Sequence, residues 1–277
     1  MTVKGININS EEMKEKSVIL VVSFGTSCMR SRANALGAIE NAVADAFTDY
    51  EVRRAFTSSA VISAVRKNEG EEIDHFEQAL DRLVREGVKR LAVQPTYIIC
   101  GNEYDKLTET VESCKDKFDA VSIGEPLLSA DDDYIKLVNA LAEEVAEYSG
   151  GETAIVFMGH GMKNRTAAHY IKLQNVFART GRTNWFVGTM NAVPDLDDVI
   201  ASLKAGSYKK AVLLPLMAAA GVHAEKDMAG DKADSWKSLL EAEGFEVECI
   251  LKGLGEMKGV RDIYVSHARD SVIRLNR

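Results

Sequence analysis

Short apolar runs alternate with amphipathic segments along the whole chain. The runs have the length and character of strands buried on both faces, as in parallel sheets. They occupy residues 17–26, 53–58, 89–96 and 120–124 in the first half and residues 153–162, 185–190, 209–216 and 245–250 in the second. Between the runs, apolar residues recur at helical spacing. The predicted helices cover residues 33–47, 73–84, 104–118, 134–145, 167–178, 196–203, 235–243 and 260–273. This alternation predicts an α/β protein with parallel sheets covered by helices.

The second half of the chain repeats the plan of the first. SVILVVSFGT (residues 17–26) aligns with TAIVFMGHGM (residues 153–162), and KRLAVQPT (residues 89–96) aligns with KKAVLLPL (residues 209–216). Eight βα units also satisfy a (β/α)₈ barrel. The half-chain repeat favours two similar doubly wound parallel-sheet domains around a central cleft. We expect their boundary near Ser149-Gly150-Gly151, giving domains of residues 1–149 and 150–277.

Two histidines follow apolar runs at equivalent places in the second half. His160 comes after VFMG, and His223 comes after LLPLMAAAGV. Ligands of open α/β sheets bind at the carboxyl ends of the strands, and neutral imidazole is a common ligand of divalent transition metals. A single histidine in such a place is more often structural, but the pair predicts a metal site. His75, His169 and His267 lie in charged, helix-like stretches, which predicts solvated surface positions.

The first strand ends in a polar turn, Ser23-Phe24-Gly25-Thr26-Ser27. Its backbone amides and hydroxyls are suited to holding a carboxylate. Helix capping by Ser27 or by Ser31 is an equally good explanation. No GxxxxGK(S/T), GxGxxG or GxSxG motif is present, which argues against a P-loop, a dinucleotide site and a hydrolase elbow.

Composition and charge indicate which kinds of binding partner to expect. The formal net charge of −8 and the absence of a basic block argue against a nucleic-acid partner. Residues 1–16 lack the apolar stretch of a signal peptide, and the apolar run at residues 211–222 is too short to span a bilayer. The four cysteines form no CxxC pair. We therefore expect a cytoplasmic protein with no membrane partner, and a homo-oligomer remains open.

Several segments together resemble the anaerobic sirohydrochlorin cobaltochelatases, from about Lys16 to the C-terminal helix. They are VVSFGTS (residues 21–27), RAFTS (54–58), GNEYDK (101–106), VFMGHG (156–161), LLPLMAAAGVHAEKDMAGD (213–231), DSW (234–236) and GLGE (253–256). That family belongs to the class II chelatases. The resemblance implies a ferrochelatase-like pair of α/β domains around a tetrapyrrole cleft and a reaction that needs no nucleotide.

The resemblance also implies a reaction and a set of site residues. The family inserts Co²⁺, its substrate metal, into sirohydrochlorin in the oxygen-independent route to cobalamin, with two histidines and a glutamate around the metal. His160 and His223 match the two histidines and are the expected catalytic and metal-binding pair. Sirohydrochlorin carries many carboxylates on its rim, and this chain is acidic, so local donors must bind them. The candidates for that role are Ser23, Thr26, Ser27, Ser58 and Tyr97.

The chain departs from the family pattern at the expected glutamate, where it has Asn191. An amide oxygen is a neutral, weaker ligand that accepts no proton. Asn191 is the predicted third metal ligand, helix capping near Pro194 is the alternative, and Glu225 is a candidate replacement carboxylate. Two functions follow: a working cobaltochelatase, which we favour, or a tetrapyrrole- or metal-binding protein with weak or altered insertion of Fe²⁺ or Ni²⁺. The sequence leaves the metal and the macrocycle open.

Overall fold

The computed structural model describes residues 16–148, 150–162 and 166–277. The N-terminal segment of residues 1–15 and Ser149 of the predicted domain boundary lie outside the described residues. Within the described ranges the chain forms eight strands, one at each of the predicted apolar runs. They are β1 (Ser17–Ser23), β2 (Glu51–Phe56), β3 (Arg90–Pro95), β4 (Ala120–Ile123), β5 (Thr153–Gly159), β6 (Trp185–Thr189), β7 (Lys210–Pro215) and β8 (Glu246–Cys249).

The strands form two separate four-stranded sheets. Their orders are β2-β1-β3-β4 and β6-β5-β7-β8, and the pairings are parallel. The central strands β1 and β5 are buried almost along their whole length, as expected for continuous apolar runs covered on both faces. The prediction of two similar doubly wound sheets is therefore confirmed, and the (β/α)₈ barrel is excluded.

Helices connect the strands. They are α1 (Met29–Ser31), α2 (Gly37–Ala46), α3 (Ser59–Glu69), α4 (Phe76–Arg85), α5 (Asn102–Cys114), α6 (Asp131–Glu144), α7 (Ala167–Arg179), α8 (Leu196–Ala205), α9 (Trp236–Ala242) and α10 (Lys258–Leu275). A π-helical turn, Arg32–Leu36, joins α1 to α2, and a second, His223–Met228, precedes α9. α1, α3 and the second π-helical turn were not predicted, whereas most of the first π-helical turn lies within the predicted helix of residues 33–47. Only Val65 of α3 is buried, so the helix lacks the apolar stripe that periodicity detects.

The last helix of each half crosses to the other half. α10 packs on β3 and β4 of the first sheet and against α2. α6 packs on α7, and its Leu137 shares a core with Phe157 and Phe177 of the second half. The predicted boundary near Ser149 stays a prediction, because these two helices link the halves on either side of it.

The three remaining histidines do not all lie in solvent. His267 of α10 is 8% exposed and faces two acceptors, the Glu125 carbonyl (Nδ1–O 3.2 Å) and the Asp133 carboxylate (Nε2–Oδ1 3.2 Å). The ring can donate to both only in its protonated form. The prediction of a surface position is wrong for His267, because its stretch is charged in sequence but packs between α6 and the first sheet. His75 and His169 are half-buried.

No helix among the described ranges is both long enough and apolar enough to cross a membrane.

Candidate functional site

A cavity of about 410 Å³ opens where the carboxyl ends of the two sheets face each other. The first half contributes the turn after β1, the segment after β3 and the start of α5. The second half contributes the His160 turn and the segment between β7 and the second π-helical turn. Residues of both halves line the cavity, among them Ser23, Phe24, Thr26, Ser27, Tyr97, Glu103, Tyr104, His160, Met217, Val222 and His223.

His160 and His223 meet in this cavity. Their ring centroids lie 5.3 Å apart, with the ring planes inclined by 69°. Two imidazoles that bind one tetrahedral metal through nitrogens about 2.1 Å from it have centroids roughly 5 Å apart. The observed separation therefore suits one transition-metal ion held between the two rings.

Hydrogen bonds at Nδ1 set the tautomer of each ring. His160 Nδ1 faces the Gly161 carbonyl at 3.0 Å, and His223 Nδ1 faces the Asp227 carboxylate at 2.6 Å. Both partners only accept, so Nδ1 donates in each ring. In a neutral ring the lone pair then lies on Nε2, the nitrogen that remains for a metal. This arrangement, with an acceptor behind each imidazole, is common among metal-binding histidines.

Two glycines and a tyrosine shape the turn that holds His160. A Cβ at Gly159 would lie 2.5 Å from Tyr170 Cε1, and Gly161 has φ of +70°. The Gly161 N–H donates to the Tyr170 hydroxyl at 3.3 Å. Burial raises the pKa of Tyr170 to about 12, so it remains a neutral hydroxyl. The histidine therefore projects from a closely packed turn.

Asn191 lies against the same turn but outside the cavity lining. Its backbone N–H and its Nδ2 both donate to the His160 carbonyl, at 3.1 and 3.2 Å. The amide nitrogen thus faces the carbonyl, and Oδ1 is the group that remains for a cation. The capping alternative is wrong, because Asp195 caps α8 by accepting from the Asp198 N–H at 3.1 Å.

Glu225 is in the π-helical turn of His223, and it accepts a hydrogen bond from Cys28 Sγ at 3.4 Å. It also lies outside the cavity lining. Within the described ranges, no group of three or more histidine, cysteine, aspartate or glutamate side chains is placed to hold a metal ion. The candidate metal site among the described residues is therefore the histidine pair alone.

Four of the five predicted substrate-binding residues line the cavity: Ser23, Thr26, Ser27 and Tyr97. Ser23 is buried and accepts from Thr96 Oγ1 at 2.8 Å, while Thr26 Oγ1 accepts from the Cys28 N–H at 3.2 Å. The Tyr97 hydroxyl donates to Thr57 Oγ1 at 3.5 Å, and burial raises the pKa of Tyr97 to about 12. Ser27 is the half-exposed hydroxyl of the turn.

Ser58 is the fifth residue, and the structure does not bring it to the cavity. Its Oγ accepts from the Val61 N–H at 3.3 Å, which makes it the N-cap of α3. Its own N–H donates to the Phe24 carbonyl at 3.3 Å. Ser58 therefore stabilises the turn after β1 through its backbone N–H and lies outside the cavity lining.

Two charged residues of the site were not predicted. Glu103, in the first turn of α5, is the one carboxylate among the described lining residues. Arg32 is buried, pairs with Glu69 and Glu71, and donates from Nη1 to the Thr26 carbonyl at 3.3 Å. Glu103 belongs to the GNEYDK segment that carries the resemblance, which was the available signal. No local sequence pattern identifies Arg32, because its partners Glu69 and Glu71 lie 37 and 39 residues further along the chain.

Solved structures with this architecture define the class. SirB from Bacillus subtilis, solved with Fe³⁺, superposes with a TM-score of 0.63 at 13% identity, covering 92% of this chain and 95% of that one. CbiX, described as the terminal enzyme of siroheme biosynthesis in denitrifying bacteria, superposes with a TM-score of 0.56 at 15% identity, covering 92% and 99%. The fold is that of the class II chelatases.

Sequence comparison then identifies the family. The model of the family Cobalt chelatase (CbiK) matches residues 17–273. The sirohydrochlorin cobaltochelatase of Salmonella typhimurium is 36% identical over 257 residues, which is 93% of this chain and 97% of that protein. The sirohydrochlorin cobaltochelatase CbiKC of Nitratidesulfovibrio vulgaris is 33% identical over 266 residues, 94% of this chain and 92% of that protein. This chain belongs to the CbiK cobalt chelatase family, which confirms the resemblance found in the sequence.

Proposed function

We propose that this chain is a sirohydrochlorin cobaltochelatase, which inserts Co²⁺ into sirohydrochlorin. The observation that carries the proposal is the pair of imidazoles, 5.3 Å apart, in a cavity between two chelatase-type halves. The names of the two relatives supply the metal and the macrocycle. The alternative, a binding protein with weak or altered insertion, has no comparable support.

The proposed metal ligands are Nε2 of His160 and Nε2 of His223. Two neutral imidazoles bind a divalent ion and replace part of its water shell without adding negative charge. The bound ion stays labile enough to pass to the macrocycle, which supplies four nitrogens of its own. Asn191 Oδ1 is the proposed third donor, since its Nδ2 is held by the His160 carbonyl.

Insertion also releases the two protons of the pyrrole N–H groups. Glu103 lines the first-half wall of the cavity, and its carboxylate is the proposed acceptor of one proton while the histidines still hold the metal. The other proton passes to Nε2 of His160 or of His223 as that ring releases the metal. The Asp227 carboxylate behind His223 stabilises the ring when it becomes positively charged.

Donors of the first half are proposed to bind the carboxylates of the macrocycle rim. Ser27 and Tyr97 line the cavity, and Tyr97 remains protonated at neutral pH because its pKa is raised to about 12. Ser23 Oγ and Thr26 Oγ1 each accept a hydrogen bond within the protein, and these bonds leave the O–H groups to donate to a carboxylate. Independence from nucleotides and a cytoplasmic location remain predictions.

A metallation assay with several metals tests this proposal. Purified chain is mixed with sirohydrochlorin and Co²⁺, Fe²⁺ or Ni²⁺, and the visible spectrum is followed against reactions without protein. We expect acceleration above the uncatalysed rate, greatest with Co²⁺. Tight binding of sirohydrochlorin without acceleration by any of the three metals would favour the binding-protein alternative.

A further inference from the structure

Phe24 is a large apolar side chain that the fold holds in the open. The carbonyls of Ser23 and Phe24 accept from the N–H groups of Thr57 and Ser58, at 3.0 and 3.3 Å. Gly25 follows with φ of +98°, and a Cβ there would lie 2.5 Å from the Phe56 ring. The backbone of Phe24 is therefore fixed, yet its side chain is 52% exposed and lines the cavity.

Val222 is a second exposed apolar residue of the cavity, on the opposite half. It precedes His223, is 41% exposed and lines the cavity wall. The adjacent Gly221 packs on the first half, where a Cβ would lie 2.8 Å from Thr26 Oγ1. Val222 and Phe24 thus flank a point of close contact between the halves.

We propose that Phe24 and Val222 bind opposite sides of the flat macrocycle and hold its centre beside the histidine pair. This inference rests on the proposed function and deepens it. A tetrapyrrole has apolar faces and a charged rim, so its faces need apolar partners that the hydroxyl donors cannot supply. An aromatic ring stacks on such a face. When the macrocycle covers the Phe24 ring, apolar surface of both is removed from water, which favours binding.

Val222 adds apolar contact without adding charge. A carboxylate in its place would repel a macrocycle that itself carries carboxylates. The two residues therefore act on recognition of the macrocycle and not on affinity for the metal.

Separate titrations of macrocycle and metal test this inference. The variants are Phe24→Ala and Val222→Ala, with Met29→Ala as the matched control. Met29 is 60% exposed and apolar, and it lies just beyond the turn after β1, outside the cavity lining. Phe24→Trp tests whether another aromatic ring restores binding. Dissociation constants for metal-free sirohydrochlorin and for Co²⁺ alone are measured for each, and thermal unfolding verifies the fold.

We expect Phe24→Ala to weaken sirohydrochlorin binding about tenfold and Val222→Ala about threefold, as the apolar areas at stake indicate. Co²⁺ binding should be unchanged in both, and Phe24→Trp and Met29→Ala should bind sirohydrochlorin like the wild type. Equal sirohydrochlorin affinity in Phe24→Ala and the wild type would overturn this inference and leave the proposed function intact. A wild-type chain that binds no sirohydrochlorin would overturn both.

Discussion

At the residue scale, the Asp227 carboxylate determines how His223 is presented. It accepts from Nδ1 at 2.6 Å and so keeps Nε2 available as a donor atom. Asp227→Asn keeps an acceptor oxygen but removes the negative charge behind the ring, and an outer partner of this kind supports metal binding by the imidazole. We expect Co²⁺ affinity to fall about tenfold, measured by titration of the metal into the purified protein.

Glu225→Gln is the matched control for that variant. It removes a carboxylate from the same π-helical turn, but one that contacts Cys28 and not the histidine. Its Co²⁺ affinity should equal that of the wild type. If Glu225→Gln alone weakened Co²⁺ binding, Glu225 and not Asp227 would be the carboxylate that supports His223.

Asn191 supports a second prediction at this scale. Asn191→Glu supplies an anionic oxygen beside His160, while the backbone N–H of residue 191 still donates to the His160 carbonyl. Co²⁺ binding should tighten roughly tenfold, because a carboxylate is a stronger ligand than an amide. Asn191→Gln, which extends the side chain without adding charge, is the control. Indistinguishable Co²⁺ affinities for Asn191→Glu and the wild type would show that residue 191 does not reach the metal.

Individual residues differ in how far the sequence predicts them. His160 and His223 were predicted because each follows an apolar run at a strand end, a place that is defined locally. The hydrogen bond from Asn191 to His160 joins residues 31 apart, and no local pattern encodes it. The burial of His267 also depends on which helices pack around it.

At the element scale, α3 depends on its first hydrogen bond. Ser58 Oγ accepts from the Val61 N–H at 3.3 Å, and Gly70 ends the helix in the left-handed region with φ of +70°. Ser58→Ala should lower the free energy of unfolding by about 1 kcal/mol, the usual cost of losing an N-cap. Its affinity for sirohydrochlorin should not change, because Ser58 lies outside the cavity lining.

Denaturant unfolding and macrocycle titration measure those two effects. Ser59→Ala, one residue into α3 and exposed, is the control and should alter neither quantity. A variant Ser58→Ala with normal stability and weakened sirohydrochlorin binding would support the original interpretation of Ser58 as a substrate ligand.

Elements with a strong apolar pattern were predicted best. All eight strands were found at the predicted runs, since their burial on both faces produces continuous apolar sequence. α3 was missed because it buries a single side chain, although Ser58 and Gly70 were available as start and stop signals. The π-helical turns are short and have no periodic signature of their own.

At the scale of the whole molecule, the two halves are tied together by helices that cross between them. The repeat in the sequence predicted two sheets of the same order, but an amphipathic helix does not specify which sheet it covers. α10 comes last in the chain and packs on the first sheet, where Ser271 Oγ lies 2.7 Å from Ser122 Oγ.

His267 connects these crossing helices and supports a prediction about the stability of the whole fold. His267→Ala removes the ring contact from the buried Asp133 carboxylate, which keeps the hydrogen bonds from the Ser129 and Ala130 N–H groups. The free energy of unfolding should fall by about 3 kcal/mol, because the variant loses a buried ring and its two hydrogen-bonding contacts. Denaturant unfolding measures the loss. His75→Ala, which removes a half-buried ring bonded to the Thr57 carbonyl at 3.1 Å, should cost about 1 kcal/mol. Equal losses in the two variants would contradict a special role for His267.

The most direct measurement of the central claim is the initial rate of Co²⁺ insertion into sirohydrochlorin by the wild type, His160→Ala, His223→Ala and the double variant. Each single replacement should reduce the protein-dependent rate roughly 100-fold or more, and the double variant should approach the uncatalysed rate. Stability should be preserved, because both rings are exposed in the cavity. Near-normal insertion rates in both single variants, with the fold intact, would show that the histidine pair is not where the metal is handled.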